Sequence, residues 1–146
     1  MRKQVYTGIA MVVLLGCLAV SARAQCSGLR SRVTIPFEFN VAKTTLPAGE
    51  YAISCQTPGA NLLLIRSLDG KTGVAGIAMI PVAGEAQHRG YLVFHRYGSQ
   101  YFFAQAWVAG MENGLALPRS RAERGVAREL AGIKPKKEEI ALKLRH

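Results

Sequence analysis

Residues 91–108 read Tyr91-Leu92-Val93-Phe94-His95-Arg96-Tyr97-Gly98-Ser99-Gln100-Tyr101-Phe102-Phe103-Ala104-Gln105-Ala106-Trp107-Val108, and this stretch decides the fold. Two runs rich in β-branched and aromatic residues flank Gly98-Ser99, a pair suited to a type II′ turn, so the stretch predicts a β-hairpin. A two-residue loop sets the register. Arg96 then lies opposite Tyr101, Phe94 opposite Phe103 and Leu92 opposite Gln105, with His95/Phe102, Val93/Ala104 and Tyr91/Ala106 on the other face. Large apolar groups on both faces place such a hairpin centrally, covered on both sides, or leave one aromatic face for a ligand. Phe94, Arg96, Tyr101, Phe103 and Trp107 are the candidate ligand face, with Arg96 over Tyr101 as a cation–π contact; aromatic residues also dominate ordinary cores.

Working towards the N-terminus, Ala83 to Gly90 is a polar loop, and Leu62–Ser67 followed by Asp69-Gly70 signals a second hairpin whose return strand runs from about Thr72 to Val82. Val33, Ile35, Phe37, Phe39 and Val41 alternate with polar residues, which predicts a half-buried strand; Pro36 within it lacks a ladder donor and implies an edge or a bulge. Thr44 to Gly49 reads as a turn, and Tyr51, Ile53 and Cys55 as one face of the next strand. Leu46-Pro47-Ala48-Gly49-Glu50-Tyr51 has the parts of a corner anchored by a tyrosine.

Beyond the hairpin, Met111-Glu112-Asn113-Gly114 reads as a turn, and Ser120 with Glu123 forms a capping-box pattern opening a helix that ends near Gly132. Ala122, Val126 and Leu130 give it a thin apolar stripe, while Arg121, Arg124 and Arg128 share another face. Ile140, Leu142 and Leu144 alternate as a candidate final strand. Together these elements predict a mainly β fold, a small antiparallel sandwich or barrel of six to seven strands with one C-terminal helix.

The ends of the chain address compartment. Met1-Arg2-Lys3, the apolar run Ile9 to Val20 and Ala22-Arg23-Ala24 form the charge, apolar core and small-residue cut site of a secretory signal peptide. The run is too short for a spanning helix, which needs roughly 20 apolar residues. The expected division is therefore residues 1–24 as signal peptide, 25–118 as the β domain and 119–146 as a basic helix with the final strand. Leu14-Leu15-Gly16-Cys17 also resembles a lipobox, in which an acylated Cys17 would tether the protein as an outer-membrane lipoprotein. Either route implies an exported protein, periplasmic or extracellular. Cys26 and Cys55, 29 residues apart, are then an even pair in an oxidising compartment, and a disulfide between them is worth about 3 kcal/mol in the loop-entropy treatment.

Net charge is +10, of which Arg2, Lys3 and Arg23 leave with the signal. Nine Lys/Arg against four Asp/Glu crowd residues 119–146, so an exported chain of this kind meets anionic envelope components, lipid or glycan, rather than nucleic acid. Arg121, Arg124 and Arg128 are the candidate contacts with such a surface.

Nothing points to catalysis. Asp69 is the single Asp and sits in a turn, which leaves no third member for a Ser-His-Asp triad, and no CxxC, HExxH, P-loop or dinucleotide pattern occurs. His88, His95 and Glu85 match no compact metal-ligand spacing. No catalytic residue, metal or cofactor is expected.

Phe37-Glu38-Phe39-Asn40-Val41, the run Thr44-Thr45-Leu46-Pro47-Ala48-Gly49-Glu50-Tyr51, and Leu92-Val93-Phe94-His95-Arg96-Tyr97-Gly98 with Tyr101-Phe102 resemble a family of uncharacterised exported bacterial proteins. The likeness runs from about Val33 to Arg128 and implies a shared exported β domain without an established activity, so it supplies no catalytic residues. The paired cysteines are not part of it. The expected function is a non-enzymatic β-domain protein of the cell envelope, structural or binding; the alternative is a small-ligand carrier that holds lipid or glycan on the aromatic hairpin face. Intact mass and thiol counting on the exported protein check the compartment reading: a chain beginning at Gln25 with no free thiol is expected, and two reactive thiols after denaturation overturn the bridge.

Overall fold

The structure, a computed structural model, describes residues 30–55, 61–130, 134–141 and 143–144. The signal peptide, Cys17, Cys26 and hence the expected disulfide, the loop at 57–60 and Gly132 lie outside the described residues. Among the described residues the strands are β1 (Arg30–Ile35), β2 (Phe39–Val41), β3 (Thr44–Leu46), β4 (Gly49–Cys55), β5 (Leu62–Ser67), β6 (Gly73–Ala78), β7 (Ile80–Ala83), β8 (Tyr91–Tyr97), β9 (Gln100–Trp107), β10 (Asn113–Ala116), β11 (Lys136–Ala141) and β12 (Lys143–Leu144), with one helix, α1 (Arg121–Glu129). No described helix is long and apolar enough to cross a membrane.

The fold is mainly β, as expected, but its strands are more numerous and shorter than the six or seven read from the sequence. Three expected strands bend at a corner and divide between two sheets. One sheet has the order β12-β1-β4-β5-β6; the other runs β11-β8-β9-β10-β7, with β2 and β3 attached at the far end of β9. Pro36 interrupts the ladder between β1 and β2, Met79 separates β6 from β7, and β11 and β12 fall in different sheets. Each break carries the chain from one sheet into the other, the device by which sandwich corners are built. The ladders do not close into a barrel.

Alternation survives these bends. Val33 and Ile35 on β1, and Phe39 and Val41 on β2, are all buried between the sheets although the two strands belong to different ladders. Tyr51, Ile53, Leu63 and Ile65 close the same core from one side and Leu92, Phe94, Phe103 and Leu115 from the other. At about 1.5–3 kcal/mol for each large apolar side chain, this layer is the main driving force for folding.

Local chemistry explains the turns. Gly98 takes φ 60°, as a II′ turn requires, and Gly70, at φ 74°, ends the Asp69-Gly70 hairpin between β5 and β6. The Tyr51 hydroxyl donates to the Pro47 carbonyl at 2.5 Å, fixing the expected tyrosine-anchored corner. Residues 44–46, read as part of a turn, form β3 instead, because Ala42-Lys43 makes the tight connection that pairs Val41 with Thr44. Ser120 caps α1 by accepting the Glu123 amide at 3.1 Å.

The β8–β9 hairpin is central, flanked by β11 on one side and by β10 and β2 on the other. Its first three pairs match the expected register: Arg96/Tyr101, His95/Phe102 and Phe94/Phe103. A bulge then shifts the ladder, so that Val93 faces Gln105, Leu92 faces Ala106 and Tyr91 faces Trp107. One extra residue reverses the side from which all later residues emerge. Trp107 is thus turned to the outer face, where its ring lies 6.0 Å from Tyr91 and close against Gly84 and Gly114.

A methyl group on Gly114 would come within 2.6 Å of the Trp107 ring. Gly114→Ala is expected to lower unfolding free energy by about 1–3 kcal/mol through overpacking, and urea denaturation of the double variant with Trp107→Leu checks the cause. The loss should largely vanish in that background; an undiminished loss would place the strain elsewhere.

Candidate functional site

The aromatic hairpin face turns into the protein. Phe94 is fully buried and Phe103 is 2% exposed, each among the residues of the inter-sheet core. Phe37 lies flat on Tyr101, with ring centres 3.8 Å apart, and meets Phe94 edge-on at 5.2 Å. Arg96 sits over the Tyr101 ring at 5.4 Å and donates to the Gly98 carbonyl, so the expected cation–π contact forms at the hairpin's exposed end. The fold brings Phe94, Arg96, Tyr101 and Phe103 together. It removes Trp107 from them, which corrects the five-residue face, the cause being the bulge.

Arg121, Arg124 and Arg128 are all exposed on α1, as their spacing implies. The helix's inner face differs from the expected apolar stripe: Ala122 is exposed, Val126 and Leu130 are half-buried, and Glu123 is buried at 3% exposure. A charged group in that position needs partners. Glu123 Oε1 lies 2.7 Å from His95 Nδ1, accepts from the Tyr97 hydroxyl at 3.2 Å and lies 3.6 Å from Arg119 Nε. Through this carboxylate, α1 is fastened to the outer face of the β8–β9 sheet. Sequence reading saw Glu123 only as a capping-box residue; its side chain turns away from the cap and into the sheet, and nothing in the local sequence distinguishes the two uses.

Burial, and next the neighbouring Glu123 carboxylate, push the Tyr97 hydroxyl above its ordinary value. The folded chain therefore holds that proton more tightly than the unfolded chain does. The resulting stability is complete below about pH 10, the ordinary tyrosine value, and is lost as pH rises through the raised one. Tyr51 shifts in the same direction, chiefly through burial.

Alongside α1 lies an open groove of about 840 Å³. Its walls are the Ala42-Lys43 turn, the end of β6 at Gly76 to Ala78, and the approach to the helix from Leu117 to Ala122. Ile77 is buried at its floor and Leu117 packs on the core beneath. The lining is largely apolar, and its charged members are Lys43 and Arg121, both exposed cations. Two walls are shaped by left-handed backbone, Ala42 at φ 53° and Gly76 at φ 69°, and for alanine that conformation is costly. Volumes of this size are typical of small-molecule sites.

Comparison with protein-family models, curated proteins and solved structures finds no match to the chain. The chemistry of the site has to be argued from its own residues. Among the described residues, no group of three or more His, Cys, Asp or Glu is placed to hold a metal ion. The buried Glu123 and the half-buried His95 form a pair that anchors a helix, with the Tyr97 hydroxyl as a second partner of the carboxylate. The groove presents apolar walls and positive charge, an arrangement suited to holding a molecule.

Removing the anchoring carboxylate should release α1. Glu123→Ala is expected to lower unfolding free energy by about 2–4 kcal/mol at pH 7, since it leaves His95 and Tyr97 without their partner. Denaturant unfolding measures it, and a loss below about 0.5 kcal/mol would show that the helix is held by other contacts.

Proposed function

We propose that the chain is an exported, non-enzymatic β-domain protein of the cell envelope that acts by binding, with the groove between β6 and α1 as its site. The observation that carries this reading is the coincidence of apolar walls with two cations and an exposed arginine-bearing helix face at one edge of the sandwich. The signal-like N-terminus, the basic tail and the resemblance to exported β domains support the compartment. Arg121 belongs both to the groove and to the exposed stripe with Arg124 and Arg128, so an anionic partner engaged by the helix would lie directly over the groove.

The carrier alternative is best served by the same groove. The aromatic hairpin face is filled by Phe37, Phe39 and their neighbours, so a ligand there would have to displace core side chains. An occupant of the groove displaces none of the described core side chains, because Ala42, Ala78 and Ala122 are exposed.

Amide NMR of the mature protein mixed with a detergent-solubilised envelope extract tests the site. Shifts are expected at residues 42–43, 76–78 and 117–122, and Ala122→Trp, which fills the groove from an exposed helix position, should abolish them without changing the melting temperature. Shifts confined to the hairpin, or unaltered by Ala122→Trp, would remove the groove from consideration.

A further inference from the structure

Resting on the groove as the binding site, we infer that its occupant is a single-chain anionic amphiphile, a long-chain carboxylate whose tail lies along β6 and whose head sits between Lys43 and Arg121. The lining decides against other classes. Ala42, Ile77, Ala78, Leu117, Pro118 and Ala122 offer aliphatic surface and no aromatic ring, so the platform on which sugar rings stack is missing from this groove. A flexible hydrocarbon chain makes no such demand and gains from every methylene it buries.

Charge selects the head group. Lys43 projects from the β2–β3 turn and Arg121 from the first turn of α1, on two different walls of the same opening, and neither has an ion-pair partner among the described residues. The lining contains no acidic residue to offset them. Ser120, also in the lining, uses its oxygen to accept the Glu123 amide, which leaves its hydroxyl proton free to donate. Two cations and a hydroxyl donor in the lining of an aliphatic trough match a carboxylate joined to an acyl chain.

The shape of β6 argues against an added peptide strand, the usual occupant of a free sheet edge. Among the described residues β6 pairs only with β5, but its ladder is broken: Leu63 faces Ile77 while Ile65 faces Val74, and the extra residue falls at Ala75-Gly76. After Ala78 the chain turns into the second sheet. A bulge followed by a bend leaves too few consecutive groups in register for strand addition, which is how natural edges avoid it.

Calorimetric titration of the mature protein, below micellar concentrations, with decanoate, dodecanoate and dodecyltrimethylammonium tests the inference. Dodecanoate is expected to bind about tenfold more tightly than decanoate, from two further buried methylenes, and more tightly than the cation of equal chain length. Lys43→Glu combined with Arg121→Glu should reverse the preference for sign, and Ala122→Trp should remove binding of both. Equal affinity for the two signs, or no dependence on chain length, overturns the inference. If dodecanoate fails to bind while Ala122→Trp still abolishes the extract-induced shifts, the ligand class is wrong and the groove stands; if those shifts are also indifferent to Ala122→Trp, both fall.

Discussion

The packing of Phe94 between the two sheets is the constraint from which the other features follow. Its ring meets Phe37, Phe39 and Phe103 in edge-to-face contacts with centres 5.2 to 5.7 Å apart, and through Phe39 the cluster reaches Tyr51 on the opposite sheet. Edge-to-face pairs of this kind are more directional than aliphatic contacts. They require the chain to leave the first sheet after Ile35, place Phe37 in the connection and enter the second sheet at Phe39, so the break at Pro36 is a condition of the core. The tyrosine-anchored corner holds the next strand at the height where Tyr51 can complete the cluster.

Much of this architecture can be read along the chain. Period-two alternation from Val33 to Val41, the Gly98-Ser99 and Asp69-Gly70 turns, the Pro47–Tyr51 corner and the Ser120 cap are local signals, and each appears where local chemistry requires it. What could not be read are events decided by distant partners. The bulge in β9 has no turn residue to announce it; Ala104, Gln105 and Ala106 are equally compatible with a regular ladder, and only packing of Trp107 against Gly84 and Gly114 selects the shift. The groove escaped for the same reason, since its walls come from three segments, the outermost more than 70 residues apart, and consist largely of small side chains with no chemical mark of their own.

Glu123 shows how one residue can satisfy a local rule and serve another end. Its position three residues after Ser120 suits a capping box, and its amide does meet the Ser120 oxygen. The carboxylate goes instead to His95 and Tyr97, so a helix with little apolar surface is held to a sheet by polar contacts inside a buried interface. Such contacts are stringent about geometry where hydrophobic ones are tolerant. The helix is thereby held in one orientation, with its arginines outward and its first turn beside the groove.

The pairing of β11 and β12 carries a consequence for assembly. β11 lies along β8 in one sheet and β12 along β1 in the other, so each ladder lacks a border strand until β11 and β12 are in place. Until both strands have docked, both layers are unfinished, with the flank of β8 waiting for a neighbour. Completion of the two sheets is in this way a shared event, in which neighbouring strands supply a border to each layer.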